Sequence, residues 1–240
     1  MIHRAIEERI HNALAKKKAV TIMGPRQVGK STLADAIIPK DARILEINGD
    51  NTDVQTMFIN VDEAKMKVLI GNKNFLFVDE AQKIENVGNM LKIVAEKFKD
   101  VKIIVTGSSA FKLAEAVNES LTGRKREFRL YPLSFKEMAD ETSTLEESRM
   151  IDHRLIYGYY PEVVTSPGDE KEVLKELIDS YLYKDVMEEN NIAKPDKLVK
   201  LVQALAFQIG STISANELAG LVGIDAKTVE RYIEILEKSF

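Results

Sequence analysis

Three features of the sequence predict an α/β fold: a parallel sheet covered by helices on both faces, followed by a helical C-terminal region. Short runs of uninterrupted apolar or β-branched residues recur through the first half, at "KKAVTIM", "ARILEING", "NFLFVDE" and "VKIIVTGSS", with a fifth at "EFRLYPLSF". Segments of helical periodicity separate them. A glycine-bearing loop, "GPRQVGKST" from Gly24 to Thr32, stands directly between the first of these strands and the first helix that follows one. Strands that are apolar along their whole length are buried on both faces, and intervening helices are what parallel connections require.

The elements run in order along the chain. Ile2, Ile6, Ile10 and Leu14 repeat at helical spacing and predict an amphipathic first helix. The first strand then ends at Met23, and "KSTLADAII" reads as a helix that stops before Pro39. Helical periodicity returns in "DVQTMFINVDEAKMKVLIG" and in "NVGNMLKIVAEKFKD", on either side of the third strand. The α/β core closes near Phe135. From Lys136 to about Ala193 the pattern is helical, with loops at "YGYYPEVV" and "SPGDE", and from Asp196 it is helical again.

Composition narrows the function classes. Hydrophobic content of 45% and charged content of 30% are ordinary for a soluble globular protein of 240 residues. The absence of cysteine excludes disulfides and thiolate metal sites and fits a reducing compartment. His3, His11 and His153 are scattered rather than set at ligand spacing. The charged N-terminal stretch lacks the apolar core of a signal peptide, and no apolar run reaches bilayer length. A cytoplasmic location with no membrane partner is therefore expected. The net charge of −4 gives no global push toward nucleic acid.

The loop carries the chemistry. Strand, glycine loop and helix occur in the order a phosphate cradle requires. Gly24 and Gly29 let the backbone curl so that the amides of Pro25-flanked Arg26, Gln27, Val28 and the residues after them point inward. The helix that starts near Lys30 aims its partly positive end at the same spot. Lys30 can bridge β- and γ-phosphates, Ser31 can hold Mg²⁺ through its hydroxyl, and Thr32 completes the nucleotide-binding run.

The acids Asp79 and Glu80 bear on the fate of the phosphate. Asp79 sits where an apolar strand emerges at its C-terminal edge, beside the loop in a parallel sheet, and a carboxylate there suits the metal. Glu80 suits a general base that deprotonates an attacking water, with a solvated strand-end residue as the plain alternative. Thr106 and Ser108 come to the same edge, where a hydroxyl either faces the γ-phosphate and the water or caps the next helix. The stretch "NKNF" does not match the asparagine–lysine–x–aspartate guanine reader, because position 75 is Phe.

Together "GPRQVGKST", "FLFVDEAQKI", "IIVTGSS" and "LTGRKREFRLYPLSF" resemble the AAA+ class of P-loop ATPases, with "YGYYPEVV" and "YLYKDV" extending the likeness. The resemblance points to a prokaryotic subgroup with an AAA+ core, a winged helix and a C-terminal domain described as nuclease-like. It implies a three-layer αβα sandwich with five parallel strands over residues 1–136, a helical lid over 137–195 and a helix-turn-helix, a partial winged helix, over 196–240. It implies a slow Mg²⁺-dependent ATPase that turns ATP into ADP and phosphate and acts as a switch for an attached module. Arg124 falls where such proteins carry an arginine finger, usually acting on a neighbouring copy, or it is a cation in the cluster Arg124, Lys125, Arg126 and Arg129. Gly158 and Pro161 match a glycine–x–x–proline turn that approaches adenine in related ATPases, or they form a plain turn. Arg154 reads as a lid arginine of undetermined direction.

In the last segment, Ser214 and Glu217 form a capping-box pattern, and Leu218 and Leu221 are expected to face inward. Gly223 makes a tight turn, Asp225 caps the next helix, and Val229, Ile233 and Leu236 form its apolar stripe. DNA binding through Lys227, Thr228 and Arg231, with ATP as ligand, is the alternative reading. From Asp196 to Phe240, five cations face six acids, a balance of −1 that does not favour tight duplex binding. The resemblance implies a β-wing and a further domain after "EKSF", so the chain reads as a truncated or naturally shortened version, prone to associate.

Overall fold

Ala19–Met23 forms β1, whose five side chains are all buried because strands flank it on both sides. The structure is a computed structural model that describes residues 2–59, 61–108, 120–180, 186–187 and 192–239, with the backbone alone at 238 and 239. The other strands are β2 (Ile44–Asn48), β3 (Phe75–Asp79), β4 (Lys102–Gly107) and β5 (Lys125–Arg129). Their order in the sheet is β2-β3-β4-β1-β5, and every neighbouring pair is parallel. The three inner strands are the apolar ones. The outer strand β5, "KREFR", buries only Phe128, as an edge strand with charged side chains does.

The helices start where local chemistry lets them. The first, α1 (Glu7–Ala15), begins later than the Ile2–Ile6 spacing suggests, because the Arg4 amide donates to the Glu7 carboxylate and Glu7 N–H to the Arg4 carbonyl. Lys30–Ile37 forms α2. The long periodic stretch between β2 and β3 is two helices, α3 (Thr52–Phe58) and α4 (Glu63–Ile70). Asp62 divides them by accepting from the Lys65 amide at 2.8 Å, an N-cap that starts a new helix. Val87–Lys97 forms α5.

The fifth strand is shorter than "EFRLYPLSF". The Leu130 amide still bonds to the Met23 carbonyl at 2.7 Å, but Pro132 has no N–H to continue the ladder. Ser134 then opens α6 (Phe135–Glu141) through a complete capping box with Glu137. The helices α7 (Thr144–Arg149), α8 (Ile151–Tyr157), α9 (Pro161–Thr165) and α10 (Glu170–Ser180) come after it. The stretch "YGYYPEVV" thus holds a short helix started by Pro161 at its first position, where a missing N–H costs nothing.

The chain divides into two compact units, Met1–Leu174 and Lys175–Phe240. The core of the first packs Ile10 and Leu14 of α1 and Leu33 and Ile37 of α2 against Val20, Ile22, Phe77 and Ile104 of the sheet. The second contains α11 (Pro195–Ala206), α12 (Ala215–Val222) and α13 (Ala226–Ser239), which enclose Leu198, Leu201, Leu218, Val222, Val229 and Tyr232.

The turn between α12 and α13 is formed as expected, with Gly223 at φ 73° and Asp225 accepting from the Thr228 amide at 2.9 Å and hydroxyl at 2.7 Å. Two expectations fail there. Ser214 stands at the N-cap of α12 but its side chain accepts no capping bond, so the Ser214–Glu217 box is absent. Leu221 is 64% exposed while Leu218 is fully buried, because Val222 rather than Leu221 takes the inward place one turn on. Among the described residues, no helix is long and apolar enough to cross a membrane.

Candidate nucleotide site

The site assembles at the C-terminal ends of β1, β4 and β3. Parallel register sets Met23 beside Gly107 and brings Val78 beside Val105, so the loop after β1 faces Asp79 across β4. Gly24 has to be glycine: a Cβ there would stand 2.2 Å from the Leu130 carbonyl oxygen. Gln27 (φ 58°) and Gly29 (φ 92°) take left-handed backbone in the loop, and Gly29 leads directly into α2.

Lys30 is 5% exposed, and its Nζ donates to the carbonyls of Gly24 (3.0 Å) and Pro25 (2.8 Å). Its ammonium group therefore hangs inside the loop, where phosphate oxygens would replace those carbonyls. Ser31 Oγ donates to Asp79 Oδ2 at 2.9 Å, and Thr106 donates to the other carboxylate oxygen. Glu80 comes next, in left-handed backbone (φ 46°). Its Oε2 accepts from Ser108 Oγ at 2.8 Å and from Gln82 Nε2 at 2.6 Å, and its Oε1 lies 3.9 Å from Lys30 Nζ. The two hydroxyls at the end of β4 thus each serve one acid, Thr106 the metal-type carboxylate and Ser108 the candidate base. The helix-capping alternative for them falls at 109–119, outside the described residues.

Ser31 and Asp79 present two hard oxygen donors 2.9 Å apart beside the loop, a set that fits Mg²⁺ shared with phosphate and water. No group of three or more His, Cys, Asp or Glu able to hold a metal occurs among the described residues, so phosphate and water would supply the rest of the shell.

Next to Gly29, Thr32 and Leu33 lies a cavity of about 350 Å³ whose far wall includes Leu133, Pro161 and Thr165. Pro161 is therefore brought to the loop. Gly158 caps α8 at φ 77° and does not line the cavity. Arg26 and Gln27 sit on the outer rim of the loop, half-buried and exposed.

Two arginines turn away. Arg154 does not face the phosphates; it forms a buried ion pair with Glu147, Nε to Oε1 at 3.0 Å, because a buried carboxylate 2% exposed needs a cation. Arg124 precedes β5 at the N-terminal edge of the sheet and pairs with Glu96 at 2.8 Å. Its carbonyl accepts from Ala19 at the start of β1, a full strand length from the loop after Met23. Within one chain it is not part of this site. Thr228, offered as a base-reading residue, commits its hydroxyl to capping.

Sequence reasoning missed Arg4. Its guanidinium, 7% exposed, donates from Nη1 to the Val28 carbonyl (3.0 Å), from Nη2 to the Tyr131 carbonyl (2.5 Å) and from Nε to Glu137 (3.1 Å). Burial acts to raise the Glu137 carboxyl, but amide bonds from Ala5 and Ser134 and the Arg4 charge outweigh it and hold the group below the usual range. An arginine among charged residues ahead of a helix carries no signal of this. Gln82, also missed, stood in plain view two residues after Glu80.

Residues 16–139, just over half of the chain, match the model of the AAA domain family. Residues 148–240 match a domain family of unknown function. An uncharacterized protein of Methanocaldococcus jannaschii is 26% identical over 99% of this chain and 58% of its own length. One of Haemophilus influenzae is 26% identical over 70% of this chain and 44% of its own, and one of Mycobacterium tuberculosis is 23% identical over 95% and 49%. The chain thus spans about half the length of these curated relatives. Among solved structures, it is similar to the Pif1 helicase from Candida albicans at 14% identity, with a TM-score of 0.38 over 68% of this chain and 46% of that one. The likeness to Bacteroides Pif1 bound to ssDNA is of the same order, 14% identity and a TM-score of 0.35 over 64% and 50%, too loose to bear on function.

Proposed function

The chain belongs to the AAA domain family, and from the joint placement of Lys30, Ser31, Asp79 and Glu80 we propose that it binds ATP with Mg²⁺ and hydrolyses it slowly to ADP and phosphate. The observation that carries this reading is the pairing of Ser31 with Asp79 across β4 while Glu80 stands 3.9 Å from Lys30. The loop amides and the Lys30 ammonium bind the β- and γ-phosphates. Ser31 and Asp79 hold the ion, which when bound neutralises charge on the phosphates. Glu80 takes a proton from the water whose oxygen bonds to the γ-phosphorus as the bond to the bridging oxygen of ADP breaks. In the structure Glu80 Oε2 is occupied by Ser108 and Gln82, and this restraint on the base supports a low rate.

The cavity beside Gly29 supports adenine binding between Leu33 and the Pro161 turn. Filling it couples the nucleotide to the helical lid that we assign to 137–195, and through it to the helix-turn-helix at 196–240. Arg124 reaches a phosphate only from a second copy. A steep rise of specific activity with protein concentration supports that assembly, and a flat profile removes Arg124 from the catalytic set.

Two variants test the core of the reading. Lys30→Ala loses nucleotide binding. Glu80→Gln retains ATP and turns it over on the order of 10²-fold or more slowly. Turnover at the unmodified rate by Glu80→Gln removes its role as base.

A further inference from the structure

The N-terminal edge of the sheet, the end away from the phosphate-binding loop, gathers positive charge that ATP chemistry does not use. Two clefts meet there. One runs between α1 and the outer strand β5 and is lined by Arg9, Lys16, Lys18 and Arg126 with Glu127. The other lies under the starts of β1 and β4 and is lined by Lys17, Lys18, Lys99 and Lys102 with Asp100. Arg124, held by Glu96, is left aside. That makes seven cations against two carboxylates, a surplus of five, on a chain whose net charge is −4.

The two carboxylates are already engaged. Asp100 pairs with Lys17, and Glu127 with Lys125. Among the described residues, none of Arg9, Lys16, Lys18, Lys99, Lys102 and Arg126 has an acid within ion-pair distance; Arg9 lies over the Phe128 ring at 5.6 Å and Lys102 over Phe75 at 5.4 Å. Edge-strand protection accounts for Arg126 alone. The others come from separate segments: Arg9 on α1, "KKK" at 16–18, and Lys99 and Lys102 about the α5–β4 turn. The parallel register of β1 with β4 and β5 brings the last two segments to one edge, with Val20 beside Ile104 and Ala19 beside Lys125.

We propose that this edge binds the phosphodiester backbone of a nucleic acid. The residue types decide against an acidic protein. Protein interfaces centre on exposed aromatic or aliphatic anchors and are depleted of Lys at their core. None of the apolar residues lining these clefts is exposed: Leu14, Ala19, Ile103 and Phe128 are buried and Ala95, Phe98 and Val101 half-buried, while the outward-facing side chains are mostly Lys and Arg. Backbone recognition needs phosphate neutralisation and no apolar anchor. The site shares no residue with the helix-turn-helix and lies at the opposite end of the sheet from the nucleotide loop, so its fate does not decide the ATPase reading.

The test is fluorescence anisotropy of a short mixed-sequence duplex and of one of its strands, across a salt series, with poly-glutamate as competitor. Binding to either nucleic acid is expected, with log affinity falling against log salt at a slope of about −4 to −5 for the duplex. The triple charge reversal Lys16→Glu, Lys99→Glu, Arg126→Glu flattens that slope by about three and lowers affinity at least tenfold. Its melting temperature and ATP turnover stay near those of the parent. Three results overturn the proposal: no salt-dependent binding, equal affinity for poly-glutamate, or a loss that follows Lys227→Glu and Arg231→Glu on α13 and spares the edge variant.

Discussion

The Nη1 of Arg4 donates to the carbonyl of Val28 at 3.0 Å, and so the segment ahead of α1 sets the attitude of one peptide plane in the phosphate-binding loop. In a trans peptide the C=O and the next N–H point in opposite directions. Drawing the Val28 carbonyl toward Arg4 turns the Gly29 amide the other way, into the cradle. The same guanidinium reaches Tyr131 after β5 and Glu137 in α6, so one buried cation joins loop, sheet and the first helix beyond the sheet.

Arg4→Met is therefore expected to weaken ATP and ADP binding about tenfold, the order of a lost hydrogen bond from a charged donor. Adenosine, which has no phosphate for the loop to grip and meets Arg4 only in the cavity wall, loses less than ATP and ADP. Arg4→Lys restores part of the affinity, because an ammonium reaches one carbonyl but not three acceptors. Equal losses for adenosine and ATP, by titration calorimetry, show that Arg4 supports the fold rather than the loop.

Ser108 gives a second prediction. Its hydroxyl is one of two donors on Glu80 Oε2, at 2.8 Å. Ser108→Ala leaves the phosphate cradle untouched, so the affinity for a non-hydrolysable ATP analogue stays within about twofold. Turnover rises, because the carboxylate loses one of the two donors that restrain it. A drop in affinity with turnover unchanged reverses the assignment and sets Ser108 at the phosphate instead.

A third concerns Gly49. Its amide bonds to the Asp79 carbonyl at 2.9 Å, and a Cβ on it would stand 2.3 Å from the Glu80 carbonyl oxygen. The end of β2 thus lies flush against the acidic pair, with no room between them for any side chain. Gly49→Ala must move backbone, at a cost on the order of 1–3 kcal/mol. Thermal unfolding reads the loss, and turnover falls further than stability alone explains, since what moves carries Glu80.

Much of this was legible beforehand because it rests on local signals. Continuous apolar runs marked the inner strands β1, β3 and β4, and the run from Gly24 to Thr32 marked the loop, since both arise from backbone burial and glycine conformations within a few residues. Asp79 could be tied to Ser31 because strands in a parallel sheet end on one edge. Contacts set by three-dimensional choice were hidden. Arg4 meets Val28 over a separation of 24 residues that carries no periodicity, and Arg154 meets Glu147 across the break between α7 and α8. The failure at Leu221 has the same cause: both Leu221 and Val222 are apolar, and only the packing of α12 on its neighbours decides which one is buried.

The ion pair at Glu137 predicts a pH signature. Its carboxyl is held below the usual range in the folded chain, with burial opposed and outweighed by the amides of Ala5 and Ser134 and by Arg4. The unfolded chain then takes up the proton first as pH falls, so the stabilisation is complete above the ordinary Glu value of about 4.3 and is lost as pH drops through the lower folded value. Glu137→Gln removes the titration. At neutral pH the parent melts higher than the variant; on acidification below about pH 4.3 the gap narrows, because the protonated parent carries a neutral side chain at the same place. Melting curves of both proteins across that range check it. A gap that is constant down to the lowest accessible pH shows that Glu137 contributes through its capping geometry and not through its charge. In that case Arg4 draws its position from the Val28 and Tyr131 carbonyls alone.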